Sequence, residues 1–370
     1  MQHVLWKSLS ALALSIACAT GQQTLVVGPG QTYTTIQPAI VAAAPGDTVL
    51  VLAGTYSETL DIDKGIQLIG QGADISGAFG PFSTAFALVR DLPANQRFTM
   101  AGFRAVQGSS QPTSLEGIGI VVRDCDGFVT LRDLSSSGGF RRFTVSVTNS
   151  PQVFVGSLDG YGVRATNSTV VCEACFLESA AITLYGVDST VVVVGCTIQT
   201  TGSLFSFPTI VERGRLVASR STFTCGPSSF SKPAIHATNT ELLLDPSTVL
   251  QPNSGSPAIQ GGVAVTFPFA SMRATLSPSA LSIVSHGPAN ETFATVLGPV
   301  TNLQPTQFGL TWLDPAQVSV ITVATYGANS LHTVTLPLPP LPPALVVGLQ
   351  SVVVTSNTIS LGVPSVVVTH

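Results

Sequence analysis

The chain has 370 residues, of which only 9% are charged, against about 25% in an ordinary soluble domain. Its formal net charge is −4, from 15 Lys+Arg and 19 Asp+Glu, so it lacks the basic face that displaces counterions from a nucleic acid. A hydrophobic content of 45% excludes a disordered chain, and 34 glycines and 25 prolines among runs of Val, Thr and Ser predict an all-β protein rich in turns.

The first element, residues 1–19, reads as a secretory signal peptide. Lys7 supplies the positive flank, Leu9 to Ala17 form an apolar run too short to span a bilayer, and Ala17-Cys18-Ala19 offers small residues for cleavage. Ser15, where a lipidated cysteine wants Leu, argues against an anchor at Cys18. No later segment reaches the roughly 18 uninterrupted apolar residues of a membrane helix, which predicts a secreted or cell-surface protein with no transmembrane segment. Cleavage leaves Cys125, Cys172, Cys175, Cys196 and Cys225, an odd number that excludes a complete set of intramolecular disulfides.

Next comes Thr35-Ile-Gln-Pro-Ala-Ile-Val-Ala-Ala-Ala-Pro-Gly-Asp-Thr-Val-Leu-Val-Leu-Ala-Gly-Thr-Tyr-Ser-Glu58, continuing through Gly65-Ile-Gln-Leu-Ile-Gly70 and Gly72. Thr34 or Thr35 can cap a short apolar helix over Ile36 to Ala43, with Pro38 in its tolerant first turn. Gly46-Asp47 then turns into a strand over Thr48 to Leu52, and Gly54 turns again. Such a helix can plug the open end of a stack of β-coils.

From residue 125 one short pattern recurs: a polar or small start, about four β-formers, a small residue, and another apolar piece. It begins near Cys125, where Phe128-Val-Thr-Leu-Arg-Asp-Leu is a weak copy, and returns at Asn149, Asn167, Asp188, Arg213 and Asn239. Successive starts are offset by 24, 18, 21, 25 and 26 residues with no helical pattern between them, which predicts the coils of a parallel β-helix stacked at about 4.8 Å. Gly127, Gly156, Gly195 and Pro246 are expected at corners. The alignment places Ser157, Cys175, Cys196, Ser221 and Ser247 at one position on successive coils. A ladder of small residues is therefore favoured over zinc binding by Cys172-x-x-Cys175, and a Cys175–Cys196 disulfide is geometrically open.

Together, the opening segment over roughly 25–75 and the repeats to about 268 resemble the pectin-lyase-like right-handed parallel β-helix superfamily. The opening is similar to the N-terminal cap of pectin methylesterases and of many exported bacterial β-helix proteins. The resemblance implies the fold and an association with polysaccharide, but it does not fix a reaction. The implied domains are a right-handed parallel β-helix over 20–269 and, over 270–370, a small antiparallel β-sandwich. The latter rests on β runs over Leu281 to Ser285, Thr292 to Leu297, Gln317 to Ala324, His332 to Leu336 and Ala344 to Val354. The proline-rich run after Leu336 reads as a rigid connector between strands.

Motifs that resemble those of the superfamily's enzymes are sparse. The Gln-Asp pair and Asp-Phe-x-Phe-Gly stretch of pectin methylesterases are missing, and Ser285-His286-Gly287 is the nearest approach to the polygalacturonase Gly-His-Gly. Pectate lyases need a calcium cluster of acids and a basic residue to abstract a proton. The dense candidate for that chemistry is Arg123-Asp124-Cys125-Asp126, followed by Arg132-Asp133. Asp124 and Asp126, two apart on a strand, would share a face, hold calcium as metal ligands, and join Arg132 and Asp133 as catalytic residues. Arg123, Arg141 and Arg142 would bind the substrate. Ordinary solvated ion pairs are the alternative reading of the same residues. The leading expectation is an exported, non-catalytic surface or glycan-associated scaffold; the rival is a calcium-dependent polysaccharide lyase or other carbohydrate-active enzyme.

Overall fold

A computed structural model describes residues 22–76, 85–106, 118–137, 143–180, 182–202, 207–227, 232–266, 268–277, 279–306, 309–314, 316–339, 341–342, 344–355 and 358–369. Residues 1–19, expected from the sequence to be a signal peptide, lie outside the described residues. The chain divides into two compact units, Thr24–Phe267 and Pro268–Thr369.

The first unit is the right-handed parallel β-helix expected from the repeats, with 24 strands described in one continuous parallel sheet. Strands of successive coils pair in register, so that Thr169, Thr190, Arg215, Glu241 and Val263 form a single row across five coils. Alternation sends Val129, Leu131, Val153, Val155, Val170, Cys172, Val191 and Val193 into one apolar column that runs from Val27 to Leu244. Burying each such Val or Leu contributes about 1.5–3 kcal/mol. No single coil could bury these side chains alone, which is why the repeats must stack.

Corners of the coil explain the polar repeat starts. Asp124, Asn149, Asn167, Asp188, Arg213 and Asn239 all adopt φ between 48° and 55° at the corner that leads into the first face. Asn and Asp tolerate this left-handed conformation better than other residues with a side chain. Their side chains also stack: Asn149 Nδ2 donates to Asp124 Oδ1 at 2.8 Å, and Asn167 Nδ2 to Asn149 Oδ1 at 3.1 Å. Beneath them, the backbone N–H groups of Cys125, Ser150 and Ser168 donate to the hydroxyls of Ser150, Ser168 and Ser189, each at 3.1 Å.

A second left-handed corner, which leaves the first face, carries Gly72, Gly102, Asp133, Ser157, Ala174, Gly195 and Arg220. The buried ladder lies one residue beyond it. Cys175, Cys196 and Ser221 occupy it as expected, with Cys175 N donating to Cys196 Sγ at 3.4 Å and Cys196 N to Ser221 Oγ at 3.1 Å. Its two ends are corrected by one residue. Asp159 pairs with Phe176, which puts Leu158 rather than Ser157 beside Cys175, and Thr222 pairs with Val249, which puts Thr248 rather than Ser247 beside Ser221. The five cysteines 125, 172, 175, 196 and 225 are free thiols. Burial pushes the Cys175 and Cys196 thiols well above the ordinary range, so they behave as small hydrophobes.

The short helix forms over Ile36–Ala42 and buries Ile36, Ala39 and Ile40. Its N-terminal amides are not capped by a threonine side chain. Ile36 N and Gln37 N donate to Glu58 Oε1 and Oε2 at 2.7 and 2.9 Å. The turn after it is held by Asp47 Oδ2, which accepts from Ala44 N at 2.8 Å.

In the second unit, a three-stranded antiparallel sheet (Ser271–Ser277, Ala280–His286, Leu331–Pro337) faces a five-stranded one that includes Thr292–Gly298, Ser319–Thr325 and Val346–Val354. Met272 and Ile283 of the first sheet pack with Leu297, Ile321 and Leu349 of the second, as in a sandwich. The proline-rich run links Leu331–Pro337 of one sheet to Val346–Val354 of the other.

Candidate functional site

Glycine at two successive corners opens a concavity of about 510 Å³ on the outside of the β-helix. It is lined by Gly70 to Asp74, by Gly102 to Arg104, and by Asp133 and Ser135. Three strands build it: Gln67–Ile75, Arg97–Val106 and Phe128–Ser137. The pairing of the first two slips between Ile69 and Ala73, and this irregularity holds Gln71 and Gly72 out of the ladder. Gly72 and Gly102 have φ of 74° and 76°, and Asp133 takes the same corner on the third coil with φ 52°. Gly70 is fixed by close approach, since a Cβ there would lie 2.6 Å from the Gly102 carbonyl oxygen.

Beyond the corner, Asp74, Arg104 and Ser135 stand in one row on successive coils. Arg104 grips Asp74 through two parallel hydrogen bonds, Nε to Oδ1 and Nη2 to Oδ2, both 2.7 Å. These bonds hold the Arg104 guanidinium above its ordinary range. The groove therefore presents a carboxylate, a guanidinium and a hydroxyl at the coil spacing of about 4.8 Å, with the Asp133 carboxylate beside them.

Sequence-predicted residues fall in three places. Asp124 and Asp126 do not share a strand face. They lie in the corner between Ile118–Arg123 and Phe128–Ser137, both exposed, with buried Cys125 between them. The left-handed backbone at Asp124 ends the strand alternation on which a shared face depended. Asp124 accepts from Asn149 and lies 3.4 Å from Arg123 Nε, so Arg123 serves there as an ion-pair partner.

Arg132 and Asp133 lie midway along Phe128–Ser137, where that strand turns its corner, about 20 Å along the chain from Asp126. Thus Asp124 and Asp126 do not meet Asp133. Among the described residues no three His, Cys, Asp or Glu side chains gather as a metal ion would need. The calcium cluster expected of these carboxylates does not fit this arrangement. Arg141 and Arg142 lie outside the described residues.

Arg132 is not a surface base. It is 4% exposed, with Nε 3.5 Å from Asp133 Oδ2 and Nη1 3.8 Å from Glu173 Oε1. Glu173 stands two coils away, and Gly156 occupies the row between them. A Cβ on Gly156 would come within 3.0 Å of Arg132 Nη1, so the glycine is what lets the two charges reach each other. The guanidinium also lies 6.0 Å from the centre of the Phe154 ring.

Of this site, the sequence reading identified Asp133 and missed Gln71, Asp74, Arg104 and Ser135. The available signal was the pair of glycines Gly70 and Gly72 within the opening motif. A shallower concavity of about 380 Å³ lies at the other corner, over Asn167 to Thr169, Asp188 to Thr190 and Arg213 to Arg215. There Arg213 grips Asp188 at 2.9 and 2.8 Å, and Arg215 lies 3.0 Å from Glu241.

No family model matches the chain, and no curated protein matches it significantly. Several solved structures are similar in fold. A tailspike protein, gp49 of Acinetobacter baumannii bacteriophage Fri1, is a capsular polysaccharide depolymerase. It shares 10% identity over 94% of this chain and 82% of its own, with a TM-score of 0.36. The pectin methylesterase of Aspergillus niger shares 16% over 67% and 83%, with a TM-score of 0.31. The pectin methylesterase PemA of Erwinia chrysanthemi shares 14% over 62% and 81%, with a TM-score of 0.25. The fold implied by the sequence resemblance, a right-handed parallel β-helix, is the fold of this chain.

Proposed function

We propose that this protein binds polysaccharide, without cleaving it, in the corner groove over Gly70 to Asp74, Gly102 to Arg104, Asp133 and Ser135. The observation that carries this reading is the repeat of polar groups along the groove. A carboxylate, a guanidinium and a hydroxyl follow one another at about 4.8 Å, close to the length of one pyranose ring, so consecutive sugars of an extended chain would each meet a polar side chain on consecutive coils. Glycines leave the floor open, and planar side chains offer paired hydrogen bonds to vicinal hydroxyls. Export through residues 1–19 would bring the groove to extracellular or cell-surface glycans. Among the described residues no helix is long and apolar enough to cross a membrane.

The non-catalytic part of the proposal is supported by how the candidate acids and bases are engaged. Asp74 is held by Arg104 from both oxygens, Arg132 is buried against Glu173, and Asp124 belongs to a corner ladder. The test incubates the purified chain with soluble polysaccharides, uronate-containing, neutral and amino-bearing, and records both binding and absorbance of unsaturated products. Binding that is weakened by Arg104→Ala, with no absorbance change with or without calcium, is the expected outcome. A calcium-dependent rise in absorbance would replace it with a lyase, and absence of binding across the panel would remove the glycan reading altogether.

A further inference from the structure

The charge of the groove points to the chemistry of its ligand, an inference that rests on the glycan-binding reading and narrows it. Three described charged side chains line the groove: Asp74, Arg104 and Asp133. Two carboxylates against one guanidinium leave a sum of −1. Neither this guanidinium nor that of Arg132, beside Asp133, is open to a ligand anion. Arg104 is already forked onto Asp74 at 2.7 Å, and Arg132 is 4% exposed beneath the surface. A uronate chain entering here would bring one carboxylate per sugar against the faces of Asp74 and Asp133, and like charges so placed oppose binding.

We propose that the groove selects a polysaccharide bearing free amino groups and discriminates against uronates. The ammonium of a 2-amino sugar supplies up to three donors and a positive charge, which match carboxylate oxygens. Asp133 is the determinant: it stands at the corner, next to the row of Asp74, Arg104 and Ser135, where an incoming chain would pass. The fold that the sequence resembles is associated with acidic pectins, so this preference runs opposite to what the resemblance implies.

The experiment uses the whole chain and three matched sets of β-1,4-linked oligosaccharides of equal length, built from glucosamine, glucose and glucuronate. At low ionic strength and neutral pH the expected order of affinity is glucosamine, then glucose, then glucuronate, with each step about three- to tenfold. Salt should compress the differences. Asp133→Asn keeps a residue that tolerates the left-handed corner and should bring glucosamine close to glucose. Arg104→Gln exposes more of the Asp74 charge and should widen the gap between glucosamine and glucuronate.

Tightest binding of the glucuronate series, or equal binding of all three, overturns this inference while leaving the glycan reading in place. An unchanged preference in both variants shows that the selection arises elsewhere and overturns it equally. If none of these oligosaccharides nor any polysaccharide of the wider panel binds, both readings fall together.

Discussion

Glu58 shows how a single side chain closes an end of this fold. The helix Ile36–Ala42 has only seven residues, too few to be stable from its own backbone. Thr35 has the extended backbone of an N-cap, φ −133° and ψ 155°, yet its side chain makes no cap bond. Both oxygens of Glu58, a residue 22 positions later than Ile36, accept from the first two amides instead. A carboxylate in this position also complements the positive end of the helix. Replacing it by Ala should therefore lower stability by about 1–2 kcal/mol, and Glu58→Gln by less. The check is the urea midpoint at unchanged slope. An unaffected Glu58→Ala together with a destabilised Thr35→Ala would reverse the assignment.

At the scale of elements, Arg132, Gly156 and Glu173 tie three strands, Phe128–Ser137, Val153–Thr166 and Thr169–Glu173, through one buried ion pair. Replacing Arg132 by Met leaves the Glu173 carboxylate, 1% exposed, without its guanidinium, and should cost about 3–5 kcal/mol. Exchanging both partners, Arg132→Met with Glu173→Leu, should restore most of that loss in equilibrium unfolding. If the single change were harmless to stability, the buried pair would not be what joins the strands. The same elements mark what was legible in the sequence. Every repeat start from Asn149 to Asn239 is a left-handed corner, and at all of them but Arg213 an Asn or Asp carries that conformation in its local chemistry. The β runs over Thr292 to Leu297 and His332 to Leu336 fall inside observed strands for the same local reason. By contrast, Arg132 read as a surface residue because its burial depends on Gly156, 24 positions away, lacking a side chain. The ladder ends slipped by one residue because an inserted position shifts the corner without changing the composition around it. The groove was hidden for a related cause: Asp74 and Arg104 meet only through strand register, across 30 residues of chain. Asp133 was found only as part of a different cluster, whose other acids, Asp124 and Asp126, are taken out of strand alternation by the left-handed corner at Asp124.

At the scale of the whole molecule, the apolar clusters described for the two units are separate. One cluster extends from Val27 to Leu244, and the clusters of the second unit draw only on residues from Ala270 onward. Each unit should therefore unfold in a transition of its own, visible as two components by calorimetry. Tyr326 gives a way to tell them apart. It is stacked on Phe293 with ring centroids 4.1 Å apart, and burial pushes its phenol up from 10.0 to about 12, against a smaller opposing contribution from Ser351. A raised phenol favours the folded state while it is protonated in both states, that is, below pH 10. The advantage is lost as pH rises through the folded value, because the unfolded chain ionises first. Between about pH 10 and 12 the second unit should lose about 2–3 kcal/mol from this group. Tyr56 of the β-helix is shifted in the same direction, by burial and then by the Glu58 charge, so the first transition also falls somewhat in alkali. The discriminating variant is Tyr326→Phe, which keeps the ring stack and has no proton to lose. It should flatten the alkaline decline of one transition and leave the other where it was. A single transition, or a variant that moves both components together, would mean that the two interiors melt as one cooperative body although their described clusters share no residue.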